Sequence, residues 1–362
     1  MWSVLKKLKV AVLFGGASSE HEVSRMSATS VLNNLDTEKY DVLPVGITKD
    51  GRWYLYSGPV EDLCSGAWER HSGNVPAAIC PGSGLAGLVA FENGVCRSLP
   101  VDVVFPVLHG KNGEDGTIQG LLELADIPYV GCGVAASANS MDKSITKAIV
   151  DTAGVRQAKY YLALRHDFER GAEGVVRAAA DALGAFPVFV KPCSQGSSVG
   201  VAKANDMLEL AAGLTEAFGL DSKVLVEEFI DGHEVECAVL GNLQPVASTV
   251  GEIAPTQEFY TFDAKYKDES SKLYIPAHIT EQQIETVRQN ALRVYTALGC
   301  RGLSRVDFFV THEGGEVVFN ELNSIPGFTS ISMYPKLFDY EGLRYPALLD
   351  RLIELALEEH HG

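Results

Sequence analysis

Gly302-Leu-Ser-Arg305-Val-Asp307-Phe-Phe-Val310 is followed by Thr-His-Glu-Gly-Gly315 and then by Glu316-Val-Val-Phe-Asn-Glu321-Leu-Asn323. Two runs rich in β-branched and aromatic residues around a glycine-bearing connection read as a hairpin, with strands Leu303 to Val310 and Glu316 to Leu322. Side chains two apart on a strand share a face, so Arg305 and Asp307 point one way, and Glu321 and Asn323 do likewise on the partner. If Val310 pairs with Glu316, the two faces coincide. Two carboxylates, an amide oxygen and a cation then crowd one patch of sheet, which is costly without compensating charge. Magnesium is the natural compensation, since it takes a few oxygen ligands and completes its octahedron with water and phosphate. A solvated hairpin carrying an Arg–Asp bridge is the competing reading.

Outward from the hairpin, Thr280 and Gln283 form a capping box for a helix whose apolar face is Ile284, Val287, Ala291, Val294, Tyr295 and Leu298, ended by Gly299. The last helix runs from about Pro346 to Leu357. Residues 256–267 combine aromatic side chains with Lys265 and Lys267 in a stretch too polar for core. Such a length reads as a lid or binding loop, with Lys265 and Tyr266 offering a phosphate contact and a hydroxyl; an ordered loop with inward aromatics is the alternative. Further upstream, a strand from Phe186 to Lys191 delivers the chain into Ser194-Gln-Gly-Ser-Ser-Val-Gly200. Backbone N–H groups of small residues approach phosphate oxygens closely, and Lys191 adds a point charge. No GxxxxGK[ST] loop occurs, and Gly82-Ser-Gly-Leu-Ala-Gly87 matches GxGxxG without the flanking strand and helix that give that motif meaning.

The chain opens with a buried strand, Lys9 to Phe14, that meets Gly15-Gly16. A helix capped by Ser19 and Glu22 follows, then strands Asp41 to Ile47 and Val101 to Leu108. This is the pattern of an open α/β sheet, with residues 58–98 as an elaboration. Helices near Asp142 to Thr152 and Asp206 to Ala217, and strands Lys223 to Phe229 and Glu234 to Leu240, continue the chain as α+β. Three domains are expected: an α/β unit over 1–131, a small one over 132–228, and 229–362 carrying the long loop and the hairpin.

The 362 residues carry 30 Lys+Arg against 47 Asp+Glu, a formal net charge of −17 that disfavours nucleic acid and anionic membrane surfaces as partners. The seven cysteines are odd in number and show no CxxC spacing, so neither a disulfide framework nor a zinc ribbon is indicated. No stretch approaches the roughly 20 apolar residues of a membrane span. A soluble protein of the reducing cytoplasm, without membrane insertion, is expected.

Taken together, Gly15-Gly16-Ala-Ser-Ser-Glu20-His-Glu22-Val-Ser24, His109-Gly-x-x-Gly-Glu-Asp-Gly116, Met141-Asp-Lys143, Gly196-Ser-Ser-Val-Gly200, Phe259-Tyr-x-x-x-Ala-Lys-Tyr266, the Gly302 to Asp307 run and Asn320-Glu-Leu-Asn-Ser-Ile-Pro-Gly-Phe-Thr-Ser330 resemble the D-alanine:D-alanine ligases. The resemblance extends from about residue 9 to 355 in the right order. It implies an ATP-grasp fold, α/β and α+β, with an N-terminal open parallel-sheet, Rossmann-like domain. ATP then lies between the central and C-terminal domains. Lys143, Lys191 and Lys265 contact its phosphates together with the Ser197 and Ser198 loop. Glu227, Glu228, Phe229 and Ile230 face adenine, and Glu234 the ribose. Asp307, Glu321 and Asn323 match the ligands of two magnesium ions, with manganese as a substitute.

The implied reaction ligates two D-alanines for peptidoglycan precursors. The first D-alanine's carboxylate attacks the γ-phosphate to give an acyl phosphate, and the second's amine displaces phosphate. Glu20 receives the first ammonium, with His109 nearby; Arg305 and the Gly327 N–H serve the oxyanion; Ser332 and Met333 hold the second substrate. Glu20, Ser197 and Tyr266 match a trio that closes the site. The resemblance also implies a homodimer. Tyr266 disfavours a D-lactate acceptor, because the lactate-using relatives replace this region with a histidine-bearing one. D-serine-using relatives share Val107 to Gly116 and Gly46-Ile-Thr48 but tend to carry arginine where Met333 stands, so D-alanine is expected as principal acceptor and D-serine as the alternative. Another ATP-grasp carboxylate-amine ligase, a nicotinamide-dependent oxidoreductase and a catalytically dead nucleotide-binding module are the competing classes.

Overall fold

A computed structural model describes residues 6–82, 87–196, 199–254 and 272–361. Three sheets follow one another along the chain. The first has seven strands in the order Val95–Pro100, Gly87–Glu92, Val75–Ile79, Trp53–Leu55, Tyr40–Ile47, Leu8–Gly15 and Val103–Pro106. Only the last three pair in parallel; the other four extend the sheet antiparallel. The expected elaboration over 58–98 thus contributes three strands to this sheet, after two short helical turns, Glu61–Ser65 and Ala67–Arg70. Its outer hairpin turns at Asn93-Gly94, both at positive φ, the pairing a two-residue hairpin turn requires. The near-match Gly82 to Gly87 runs into strand rather than helix, in keeping with its dismissal.

Leu8–Gly15 is apolar throughout its centre because both of its faces are covered. It ends at Gly15, with φ +87°, where a Cβ would lie 2.2 Å from Ile47 O. The following helix, His21–Asn34, starts without the expected Ser19–Glu22 capping box: Glu20 is the N-cap and makes no side-chain cap bond. Ser24, one turn in, ties the helix to the sheet instead, its hydroxyl accepting from Gly15 N at 2.8 Å and donating to Val107 O.

The second sheet is antiparallel, ordered Ala202–Ala204, Val188–Pro192, Lys223–Glu228, Tyr160–Leu164. Helices Arg165–Leu183 and Met207–Leu220 cover it through Val175, Ala179, Leu210 and Leu214. The third has five antiparallel strands, Lys272–Tyr274, Val246–Ala254, Gly232–Leu240, Leu303–Thr311 and Val317–Asn323. Helix Glu281–Ala297 packs on the face that carries Val235, Val306, Phe308 and Phe319. The last helices, Met333–Tyr340 and Tyr345–His361, join Leu240 and Leu303 of this sheet to Val10, Phe14 and Phe105 of the first in one continuous core. No helix among the described residues is long and apolar enough to cross a membrane.

The capping box at Thr280 is present: its hydroxyl accepts from Gln283 N at 3.3 Å, and Gln283 Oε1 accepts from Thr280 N at 2.8 Å. Thr280→Ala removes one half of it and is expected to cost about 1 kcal/mol. Urea unfolding should show that loss with unchanged catalytic turnover; an unchanged midpoint would mean the cap contributes nothing.

Candidate active site

The turn registers one residue away from the expected pairing, with Val310 opposite Val317 rather than Glu316. Continued regularly, that register would set Asp307 against Asn320. A bulge between Asp307 and Phe308 instead leaves Asn320 as the extra residue and brings Glu321 opposite Asp307 and Asn323 opposite Arg305. Both carboxylates therefore share a face, and the extra residue Asn320 reaches Lys191 Nζ at 3.3 Å. On the other flank Glu236 lies opposite Asp307, so Glu236, Asp307 and Glu321 form a row across three adjacent strands.

Among the described residues, the Arg305 guanidinium lies within this row. Arg305 Nε donates to Asp307 Oδ1 at 2.7 Å and Nη2 to Asp307 Oδ2 at 2.6 Å, while Nε also lies 3.1 Å from Glu236 Oε1. Asn323 Nδ2 donates to Asp307 Oδ2 at 3.0 Å. Asp307 and Glu236 are 3% and 4% exposed. Arg305 is, among the described residues, the cation set against this row, and the row's donors are hard oxygens, as magnesium prefers. Among the described residues no cluster of three His, Cys, Asp or Glu side chains is arranged as a metal cage. Two carboxylates and an amide, leaving positions for water and phosphate, is the set expected of magnesium rather than zinc.

Across a cleft that Glu321 and Asn323 line stand Lys143 and Lys147 of helix Lys143–Thr152. Lys143 Nζ donates to Gln195 O at 2.7 Å, at the entry to the glycine-serine loop. Lys191 and the buried Lys147 both engage Glu227, at 2.7 and 3.1 Å. Burial alone would raise the Glu227 carboxyl, but the two ammonium groups outweigh it and hold it at about 2. Burial in turn lowers Lys147. Glu228 accepts from Lys159 N at 2.9 Å and faces Arg156. Its carboxylate thus lies on the other side of the strand from Glu227. Phe229 is exposed and lies under Lys203, and Ile230 and Glu234 are half-buried.

The first sheet contributes Glu20, 5% exposed, whose Oε2 would lie 2.4 Å from a Cβ on Gly110 and 2.7 Å from one on Gly196. Glycine at both positions lets two loops close on this carboxylate. His109 places Nδ1 3.1 Å from Ile325 O and Nε2 3.0 Å from Ser27 Oγ. Since Nδ1 must donate to the carbonyl, Nε2 accepts from the Ser27 hydroxyl, which itself accepts from Phe328 N at 3.2 Å. Burial and the nearby Arg305 charge push His109 down to about 4, so the ring stays neutral. Glu114 accepts from Gly110 N at 2.7 Å and Ile325 N at 3.2 Å; burial and the Glu20 carboxylate push it up to about 8.

A Cβ on Gly327 would lie 2.7 Å from Ser332 Oγ, which also accepts from Thr329 N at 3.0 Å. Met333 differs from the sequence expectation. It is 4% exposed and packed in the core, with its sulfur only 2.5 Å from where a Gly251 Cβ would stand, so its side chain is spent on packing. Ser197, Ser198, Lys265 and Tyr266, and the loop reading of 256–267, lie outside the described residues. The cleft and the carboxylate row beside it also contain residues that no sequence expectation singles out. Glu114 sits inside the quoted His109 to Gly116 motif, Lys147 follows Lys143 at helical spacing, and Glu236 follows Glu234 at strand spacing.

Comparison with known proteins adds the family. A profile described as D-ala D-ala ligase N-terminus matches residues 9–132, and one described as D-ala D-ala ligase C-terminus matches 149–354. The chain belongs to the D-Ala–D-Ala ligase family. A D-alanine–D-alanine ligase of Acetivibrio thermocellus is 51% identical over 98% of this chain and 97% of its own length. Among solved structures, the VanG D-Ala:D-Ser ligase from Enterococcus faecalis superposes with TM-score 0.88 at 42% identity, covering 97% of this chain and all of that one. The D-alanine-D-alanine ligase from Coxiella burnetii gives 0.86 at 37%, covering 98% and 95%. Members of the family have the ATP-grasp fold, use ATP with a divalent metal and act on small-molecule substrates. The chain is accordingly an ATP-dependent ligase.

Glu227 offers a test of the lysine wall. Its folded pKa lies below the ordinary 4.5, so its stabilisation is present above that pH and is lost as the pH falls toward about 2. Glu227→Gln leaves two ammonium groups without their counter-charge and should cost about 3–5 kcal/mol. It should also flatten the acid limb of the stability profile; an unchanged limb would remove Glu227 as its source.

Proposed function

We propose that this enzyme joins two molecules of D-alanine into D-alanyl-D-alanine, the γ-phosphoryl of ATP passing to the first D-alanine's carboxylate with release of ADP and leaving as phosphate when the second amine attacks, supplying the terminal dipeptide of peptidoglycan precursors in the cytoplasm. The observation that carries the reading is convergence. Glu321 and Asn323 of the hairpin line the same cleft as Lys143 and Lys147 of helix Lys143–Thr152, Lys191 of the small sheet reaches its wall at Asn320, and Glu20 stands against Gly196 at its edge. The domains are read as 1–131, 132–228 and 229–362, with a homodimer as the working assembly.

In the mechanism, Lys143 and Lys191 hold the nucleotide phosphates, joined by Lys265 and by the Ser197 and Ser198 loop. Glu227, with the backbone through Glu228, Phe229 and Ile230, faces adenine, and Glu234 the ribose. Asp307, Glu321 and Asn323 would hold two magnesium ions, or manganese, whose charge offsets that of the phosphates. Glu20 receives the ammonium of the first D-alanine and turns its carboxylate toward the γ-phosphate. The neutral His109 ring, fixed by Ser27 and Ile325, sets the position of the 325–328 loop against the first sheet. Attack by the second amine on the acyl phosphate builds charge on the carbonyl oxygen, where Arg305 and the Gly327 N–H donate. Ser332 receives the second substrate's carboxylate. Glu20, Ser197 and Tyr266 close the site, which keeps the acyl phosphate from water.

D-alanine as acceptor is supported by the full-length similarity to D-alanine–D-alanine ligases. The D-serine reading is supported by the 42% identity to VanG, and an added hydroxyl is discriminated by only about a hundredfold in an apolar pocket. Phosphate release with each amine at equal concentration decides between them. Turnover with D-alanine, dependent on ATP and magnesium and indifferent to NAD, is the expected result; a preference for D-serine would reverse the acceptor. Glu321→Gln should lower kcat at least about a hundredfold with little change in Tm. Parallel losses of activity and stability would make that carboxylate structural.

A further inference from the structure

Glu236 is a buried charge on a strand whose neighbours Val235, Cys237 and Val239 are wholly core. A carboxylate is expensive in such a place unless a cation meets it. It stands opposite Asp307, and Ala238, two residues on and on the same face, stands opposite Arg305. The small Ala238 side chain leaves room for the guanidinium to lean back toward Glu236, which it meets through Nε at 3.1 Å. As the structure stands, Arg305 also takes both oxygens of Asp307. The function proposed above asks Asp307 to turn an oxygen to a divalent cation while Arg305 remains aimed at the reacting carbonyl. Held only by Asp307, the guanidinium would follow that carboxylate or swing free.

We propose that Glu236 is a positioning residue for the ligation step: it anchors Arg305 through Nε, so that the terminal N–H groups stay directed at the developing oxyanion when Asp307 engages metal. Glu236 touches neither substrate nor metal in this account and acts only through Arg305. The inference rests on the assignment of Arg305 to the oxyanion.

The test is a double-mutant cycle on the full-length enzyme with Glu236→Gln and Arg305→Lys, and with Glu236→Asp as a charge-retaining variant. Glu236→Gln is expected to lower kcat by about 30- to 100-fold, as a misaimed donor does, with KM for ATP and D-alanine held within about threefold. Binding of ADP with magnesium, read by calorimetry, should likewise stay within about threefold, and Glu236→Asp should recover part of kcat. In the Arg305→Lys background, Glu236→Gln should change kcat by less than about threefold, because the group it positions has gone. A full kcat in Glu236→Gln overturns the proposal. So does an equal loss in the Arg305→Lys background, or a loss of magnesium-ADP binding that matches the loss of kcat. If Arg305→Lys alone keeps full kcat, the oxyanion assignment itself falls and this inference with it. If Arg305→Lys is costly but the effects simply add, only the role of Glu236 falls.

Discussion

Glu236, Asp307 and Glu321 stand level on three neighbouring strands, and Arg305 is the cation set among them. Like charges opposite one another on a sheet repel, and at this burial water screens them little. The sheet tolerates the row because its other face is thoroughly apolar, with Val306, Phe308 and Phe319 packed under helix Glu281–Ala297. Core packing on one side thus holds a row of acidic side chains on the other. A divalent ion arriving with nucleotide phosphate would find hard oxygen donors there.

The remaining parts of the cleft are fixed by contacts between sheets. Ser27, His109, Ile325 and Phe328 make one chain of hydrogen bonds from the first helix to the loop after the hairpin. Glu114 bridges Gly110 and Ile325 in parallel. Because the C-terminal helices share a core with the first sheet, Glu20 and His109 and the carboxylate row are tied to one common core. The small sheet contributes Lys191 and helix Lys143–Thr152 contributes Lys143 and Lys147, with Glu227 keeping Lys147 and Lys191 together.

Much of this was legible in the residues. Strand alternation put Arg305 with Asp307 and Glu321 with Asn323, and the Thr280 capping box set the start of its helix. The shared face came out right although the turn pairing was off by one, because the bulge at Asn320 restores the parity that the turn loses. No local pattern marks that bulge: Asn320 differs from a regular strand residue only through what faces it across the cleft. The antiparallel strands over 75–100 were missed because they are short and partly exposed, although Asn93-Gly94 carried the turn signal. Ser19 and Glu22 looked like a cap, yet the chain is held there by Ser24 bridging two strands, a contact between residues far apart in sequence. Glu236 was hidden for a related reason, since its meaning depends on the strand beside it.

The most direct measurement of the central claim is anomalous scattering from crystals of the enzyme grown with manganese and ADP. The account predicts manganese peaks within bonding distance of carboxylate oxygens of both Asp307 and Glu321, with Asn323 beside them and Arg305 still against Glu236. Bound nucleotide with manganese elsewhere, or with the Arg305 to Asp307 pair intact and no metal at Glu321, would contradict it.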